Sequence, residues 1–195
     1  MISAHQQRLH DRVLEAPVVP APSAWRLVGD WRVPVGGLLG IGFAVDPRSG
    51  HDLVMTVSTS GHGLFDAVTG EKIARDRDPD DDSCTPDTTP DLTCPGLGPV
   101  AGSRIHIAGL FGGGLHSGTR DGWTVTVASP EWPSHRVLLV KASGLHRGTH
   151  EEDWWHVLHA NYSEFRAAGF SPSGHTLAVA TSSDLTLWSR TAAGS

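Results

Sequence analysis

The chain has 195 residues and a formal charge of −6, with 21 acidic and 15 basic residues. This length suits one domain, or at most two small ones, and is enough to bury a core. Lysine and arginine do not cluster in any segment, which argues against a nucleic-acid-binding surface. No apolar run reaches the length of a membrane helix, and the polar N-terminus lacks a secretory core. We therefore expect a cytoplasmic protein that binds neither nucleic acid nor membrane.

The sequence predicts that residues 1–22 form an N-terminal arm and a linker. Apolar residues between Ile2 and Leu14 give a weak helical period, and the prolines at positions 17, 20 and 22 end any helix. Residues 23–190 predict one β domain, because short apolar stretches there alternate with turns rich in glycine and proline. The sequence predicts a C-terminal tail over residues 191–195.

The β domain contains a series of short strand candidates. Leu38–Val45 is apolar with interleaved glycines, which is typical of a strand that lies close to another backbone. In chain order the predicted strands are Trp25–Val35 (a strand pair), Leu38–Val45, Leu53–Val57, Gly63–Asp66, Lys72–Arg75, Arg104–Leu110, Trp123–Ala128, Val137–Lys141, Trp155–Ala160, Arg166–Phe170, Thr176–Thr181 and Leu185–Trp188. Residues 76–99, rich in Asp, Pro and Thr, interrupt the series and predict a long exposed acidic loop.

Two distant segments repeat one pattern. The first runs Gly-Phe-Ala-Val-Asp-Pro-Arg-Ser-Gly-His-Asp-Leu from Gly42 to Leu53, and the second runs Gly-Phe-Ser-Pro-Ser-Gly-His-Thr-Leu from Gly169 to Leu177. Each predicts a strand, a tight Pro/Gly turn and an apolar strand that pairs back antiparallel. Their phenylalanines are 127 positions apart, which is close to three repeats of a propeller blade at about 40–45 residues each.

These segments resemble the WD40 β-propeller family. The stretch from Phe170 to Ala180, followed by Leu-Thr-Leu-Trp at positions 185–188, is similar to a WD40 blade, and Leu64–Glu71 resembles the family's Trp-Asp and Thr-Gly turn with Phe65 in place of Trp. The resemblance covers residues 41–75 and 166–190 and is poor from 76 to 165. It implies a small or partial propeller of three to four blades with an acidic loop insertion. We expect the strands near Trp25–Val35 to join the C-terminal sheet, the alternative being an open array completed by a second chain.

The acidic loop is a candidate calcium site. Asp76, Asp78 and Asp80 alternate as the first ligands of a calcium loop do. The positions that should hold Gly and Glu are occupied by aspartates, and Pro79 stiffens the turn, so a solvated acidic linker is the favoured interpretation. Cys84 and Cys94, the only cysteines, are interpreted as thiols or as one disulfide that pins this loop.

The second candidate site is a segment rich in histidine and tryptophan. The densest set of candidate metal ligands is His150, Glu151, Glu152, Asp153, His156 and His159. We take His150, Glu151, His156 and His159 from it as the candidate site, with zinc or calcium as the ion. His156 and His159 would share a face on a helix but not on the strand that the context favours. Two interpretations fit the aromatic residues Trp154, Trp155 and Tyr162: they form a binding platform, or they pack within a blade.

A non-catalytic module that binds a protein or peptide is the favoured function. The glycine-rich stretch at residues 109–116 lacks the ending of a phosphate loop, and no serine lies in a nucleophile elbow. We therefore lean against an enzyme and expect no cofactor. One alternative is a metal-dependent enzyme or metalloprotein that uses His150–His159. The other is a structural subunit that completes a propeller by forming a homodimer.

Overall fold

The computed structural model describes residues 3–29, 32–78, 91–142 and 144–190. Helix α1 spans Ala4–Glu15, as the weak apolar period predicts. Ser3 accepts a hydrogen bond from the backbone of Gln6 while the Gln6 side chain accepts one from the backbone of Ser3, which satisfies two donors at the start of the helix. The helix ends at Glu15, and the next residue, Ala16, is extended because the proline that follows it disfavours helical backbone. Gly98–Val100 is a single 3-10 turn, and α2 spans Gly144–Arg147.

The rest of the ordered structure is strand. Strand accounts for 46% and helix for 11%, so the expected mostly β class is confirmed. In chain order the strands are β1 Arg26–Leu27, β2 Val33–Pro34, β3 Leu38–Val45, β4 Asp52–Ser58, β5 Gly61–Asp66, β6 Lys72–Asp76, β7 Thr93–Pro95, β8 Arg104–His106, β9 Ala108–Gly109, β10 Trp123–Ala128, β11 His135–Lys141, β12 Trp154–Ala160, β13 Phe165–Phe170, β14 Thr176–Thr181 and β15 Asp184–Ser189.

Three antiparallel sheets carry the fold. The β3–β6 sheet pairs its strands in sequence order, with β9 added beside β3. The β10–β12 sheet has three strands, and the β13–β15 sheet has β1 and β2 paired with β15. A fourth, smaller ladder joins β7 and β8. The first strands of the three larger sheets lie near one another, since β13 contacts both β3 and β10.

The two copies of the sequence repeat form equivalent hairpins. The first copy is β3–turn–β4 and the second is β13–turn–β14, each opening its own sheet. The turn glycines Gly50 and Gly174 have φ of 74° and 75°, a left-handed conformation that glycine adopts without a steric penalty. The predicted strand–turn–strand unit is therefore confirmed at both places. The sheets do not establish a propeller of three to four blades.

The N-terminal strands join the C-terminal sheet, as the sequence predicts. Leu27 pairs with Trp188 through β1, and Val33 pairs with Leu185 through β2, so the two short strands line the same edge of β15. Residues from the beginning and the end of the chain thereby share one sheet.

The segment predicted as an exposed acidic loop is shorter than residues 76–99. Its C-terminal part folds into β7, where Cys94 is fully buried against the β3–β6 sheet with Leu53 and Ile105. The sequence did not predict this strand, because the apolar residues Leu92 and Cys94 stand among Asp, Pro and Thr, which favour a loop. Cys84 and Asp80 lie outside the described residues. Across the described ranges, no helix combines the length and apolar character needed to cross a membrane.

Candidate functional site

The linker after α1 lies on the outer edge of β12. The backbone N–H of Val19 donates to the carbonyl of His156 at 2.9 Å. The carbonyl of Ala16, at the end of α1, accepts from His156 Nδ1 at 2.9 Å and from Arg136 Nη1 at 3.2 Å. The arm and the linker are thus anchored on the β10–β12 sheet before the chain enters the β13–β15 sheet.

Between this linker and the β13–β15 sheet lies a mostly apolar groove of about 430 Å³, which we call the linker groove. Val18–Ala21 form one side, Val157–His159 of β12 form the second, and Trp25, Thr186 and Trp188 form the third. The side chain of Val18, at the mouth, is 53% exposed. An apolar concave site with a few polar groups is the usual form of a ligand pocket.

A few polar groups line the linker groove. Thr186 Oγ1 and His159 Nε2 are buried and have no hydrogen-bond partner among the residues that the structure describes. Among the described residues that line the groove, Arg32 is the one arginine or lysine, and none is a carboxylate. Its guanidinium lies 4.3 Å from the centre of the Tyr162 ring, with Nη1 3.9 Å from Asp184 Oδ2. The groove therefore combines two buried polar atoms with apolar walls, and the Arg32 guanidinium at its edge already contacts Tyr162 and Asp184.

His156 and His159 lie on the same face of β12, contrary to the expectation for a strand. The register of β11 against β12 shifts between Val137 and Leu138, so that β12 holds one extra residue at Val157. Because of this bulge, the side chains of His156 and His159 lie on the same face of β12, and the centres of their rings are 5.7 Å apart. The alternation rule was wrong here because sequence alone gives no sign of the bulge.

Burial and a neighbouring cation favour the neutral form of both imidazoles. Burial lowers the pKa of His156 below its usual 6.5, and the charge of Arg136 lowers it further. Burial is also the main cause of the lowered pKa of His159, with Arg136 acting in the same direction. Since its Nδ1 faces a carbonyl that can only accept, the neutral His156 carries its proton there.

A second depression, of about 510 Å³, adjoins the linker groove and shares His159 with it. It lies between the β10–β11 loop (residues 129–134) and the β12–β13 loop (residues 161–164), and we call it the rim depression. Trp132, in the first loop, is 79% exposed. Its ring contacts His135 edge-on at 5.8 Å, and His135 stacks on Phe165 at 5.0 Å.

Among the three aromatic residues predicted for binding, Tyr162 is the exposed one. Tyr162 is 50% exposed on the rim, and its hydroxyl donates to Asp184 Oδ2 at 2.9 Å. Trp154 is 1% exposed and packs with Val13 of α1. Trp155 is 8% exposed and packs against Trp123 on the opposite face of β12. The packing interpretation therefore describes both tryptophans, and the platform interpretation fits Tyr162 alone.

The residues predicted as metal ligands are spread over separate places. The His150 ring contacts the Trp154 ring at a tilt, with centres 4.5 Å apart, and its Nδ1 lies 3.9 Å from the exposed Glu151. His156 and His159 lie on β12, under the linker. Within the described ranges, no group of three or more His, Cys, Asp or Glu side chains converges in the geometry of a metal site.

The calcium prediction for the acidic loop rests partly on residues that the structure describes. Asp76 ends β6, and its carboxylate accepts a hydrogen bond from the backbone N–H of Asp78 at 3.0 Å. This is a local turn contact of a kind that aspartate forms without any ion. The third predicted ligand, Asp80, lies outside the described residues.

Sequence reasoning missed several residues of this site. Trp132 carries a signal, because it stands in the turn Ser-Pro-Glu-Trp-Pro-Ser, and turns usually lie at the surface. No such signal marks Arg136 or Thr186, since each lies in a strand that carries other polar residues as well. Their role depends on a linker that is more than a hundred residues away in the chain.

Comparisons of this chain with protein-family models, with curated proteins and with solved structures found no match.

Proposed function

We propose that the protein is a non-catalytic module that binds a protein or peptide through the linker groove and the adjoining rim. The observation that carries this proposal is the exposure of Trp132 and Tyr162 at 79% and 50%, in the two loops that border the rim depression. Exposed aromatic residues beside an apolar groove are typical of binding hot spots. The partner would bury these rings and place an apolar side chain in the groove.

We further propose that the sheets are blades of a small WD40-like propeller. Three features support this. The two repeat copies open two different sheets, the first strands of the three larger sheets lie near one another, and β1 and β2 complete the C-terminal sheet. In such folds one rim of loops commonly forms the binding face, and Trp132 and Tyr162 would lie on that rim.

Peptide selection tests the binding proposal. A phage-displayed library of random peptides of about twelve residues is selected on the purified protein, and the affinity of the enriched peptides is measured by calorimetry. Val18→Arg places a charged side chain at the mouth of the linker groove, and we expect it to weaken binding about tenfold or more.

Val45→Arg is the matched control. Val45 is 51% exposed, nearly the same as Val18, but lies outside the groove at the end of β3. Both variants should fold normally, because substitutions of exposed residues are usually near neutral in stability. Failure to enrich any peptide, or equal affinities of the two variants, would contradict the proposal.

A further inference from the structure

We propose that the side chain which the partner places in the linker groove is a tyrosine, whose hydroxyl group contacts Thr186 Oγ1 and His159 Nε2. This inference rests on the proposed binding function and names the residue that the groove recognises. It is carried by these two buried polar atoms, which have no hydrogen-bond partner among the residues that the structure describes. A buried polar atom without a partner costs free energy, and a ligand that supplies the partner removes that cost.

The side chain of Thr186 faces the linker groove. Thr186 and Trp188 are two residues apart on β15, so they share one face of the sheet, and both line the groove. Leu185 and Leu187, on the opposite face, pack in the core shared with the β3–β6 sheet. Thr186 is 4% exposed. A valine has nearly the same shape and would leave no polar atom unpaired, so packing alone does not require a hydroxyl group here.

Thr186 and His159 lie toward the same end of the groove. Asp184, two residues before Thr186, accepts a hydrogen bond from Tyr162, which follows His159 by three residues. Arg32 marks this end, since its guanidinium contacts both Tyr162 and Asp184. We therefore place the polar end of the bound side chain here.

The groove favours an uncharged polar end. The Arg32 guanidinium is already engaged with Tyr162 and Asp184, and none of the described residues that line the groove is a carboxylate. Burial also favours the neutral form of the His159 imidazole. A charged group would therefore lose its hydration without meeting an opposite charge that is not already engaged.

Among the amino-acid side chains, tyrosine fits these walls and these polar atoms best. Val18, Leu158 and Trp188 line the groove with apolar surface, which suits an aromatic ring. A hydroxyl group both donates and accepts, so it can pair with the threonine hydroxyl and with a neutral imidazole in either tautomer. Phenylalanine offers no polar group, tryptophan can only donate, and serine and threonine lack a large apolar body.

Replacement of tyrosine in the selected peptides tests the inference on the unaltered protein. We expect the enriched peptides to share one tyrosine, and its replacement by phenylalanine to weaken binding about tenfold, as measured by calorimetry. Only the hydroxyl group is removed, so the ring still fills the groove. If the peptides bind but share no tyrosine, or if the replacement leaves affinity unchanged, the inference is overturned and the binding function stands.

Thr186→Val assigns the effect to the groove. The variant removes one polar atom and keeps the shape of the side chain, so the preference for tyrosine over phenylalanine should fall from about tenfold to less than about threefold. Thr126→Val, on β10 and outside the groove lining, is the matched control and should keep the full preference. Equal preferences in the wild type and in Thr186→Val would overturn the contact.

The stability of the same variant excludes a purely structural role for the hydroxyl group. Because Thr186 Oγ1 has no partner among the described residues, Thr186→Val should leave Tm unchanged or raise it. A clear fall in Tm would show that the hydroxyl group stabilises the fold itself, and would overturn its assignment to a ligand.

p-Cresol, which is the tyrosine side chain without its backbone, separates this inference from the proposed function. In NMR titrations the wild-type protein should bind p-cresol about tenfold more tightly than toluene, and Thr186→Val should lose most of that preference. A preference for p-cresol without a tyrosine in the peptides would assign the groove to a free phenol and overturn the partner's tyrosine. If no peptide is enriched, the binding function fails, and equal binding of p-cresol and toluene would show that the groove recognises no hydroxyl group either.

Discussion

At the scale of single residues, Arg136 and His156 show how two polar side chains are accommodated in the buried part of a β-sheet. Both are more than nine-tenths buried, and both donate to the carbonyl of Ala16. That carbonyl ends α1 and lacks a partner within the helix, so the two donors satisfy a group that would otherwise be costly to bury. Sequence reasoning placed His156 on a strand correctly, but it could not supply this distant partner.

The lowered pKa of His156 predicts the pH dependence of stability. The unfolded chain binds a proton near pH 6.5 and the folded protein binds it less readily. The stabilisation is therefore complete above about pH 6.5 and is lost as the pH falls through the folded pKa. His156→Gln keeps an N–H donor for Ala16 but cannot titrate, so urea unfolding at a series of pH values should show a shallower loss of stability on acidification.

His10 provides a control of opposite sign. The hydrogen bonds that it makes to Asp11 and to the carbonyl of Pro130 raise its pKa above 6.5. Its contribution is complete below about pH 6.5 and is lost as the pH rises through the folded pKa. His10→Gln should leave the acid limb of the unfolding curve unchanged. An identical effect of the two substitutions would show that burial of His156 does not cause the acid sensitivity.

At the scale of elements, the repeat was predictable because its turn chemistry is local. Proline and glycine at fixed offsets specify the β3–β4 and β13–β14 turns, and the adjoining apolar runs specify the strands. The bulge at Val157 and the short strand β7 could not be predicted, since they depend on non-local packing. A Cβ on Gly42 would overlap the carbonyl oxygen of His106, which explains the glycines that alternate along β3.

The two repeat copies also bind each other. Asp52 and Thr176 occupy the same place in the pattern, after Gly-His and before Leu. Asp52 Oδ2 accepts from Thr176 Oγ1 at 2.9 Å and from Ser173 Oγ at 2.7 Å, and Asp52 is 5% exposed. This buried contact ties the β3–β6 sheet to the β13–β15 sheet at one end of both hairpins.

Substitution of Asp52 should measure that contact. Asp52→Ala leaves the buried hydroxyl of Thr176 and the exposed hydroxyl of Ser173 without this acceptor, and we expect the free energy of unfolding to fall by about 1–3 kcal/mol. Asp52→Asn keeps an acceptor oxygen and should cost about half as much. Urea denaturation measures both. Asp46→Ala removes only contacts within its own turn, with Arg48 and Ser49, so a loss there as large as in Asp52→Ala would contradict a role between the sheets.

At the scale of the whole molecule, the N-terminal segment holds the sheets together. The chain passes from α1 on the β10–β12 sheet, along the linker, to β1 and β2 on the β13–β15 sheet. The sequence predicted the last step from the alternation at Trp25–Val35. The sequence could not predict the first step, the packing of α1 on the β10–β12 sheet. The helix has only a weak apolar face, and its position is set by the contact of Val13 with Trp154.

Trp25 is the residue through which this connection should be most sensitive. It is 3% exposed, and its ring meets Trp123 of the β10–β12 sheet at 6.0 Å and Phe170 of the β13–β15 sheet at 5.4 Å. Trp25→Ala should therefore open a cavity between two sheets and lower the free energy of unfolding by about 3–5 kcal/mol. Trp25→Phe keeps most of the ring packing and should lose less.

Trp132→Ala separates stability from binding on the same molecule. Because Trp132 is 79% exposed, its removal should change the free energy of unfolding by less than about 0.5 kcal/mol. The same variant should weaken the selected peptides, since the exposed ring would be part of the proposed binding face. Urea denaturation and calorimetry on the two variants therefore give opposite results: Trp25→Ala loses stability, and Trp132→Ala loses affinity. A stable Trp25→Ala protein would show that the two sheets do not depend on this segment for their association.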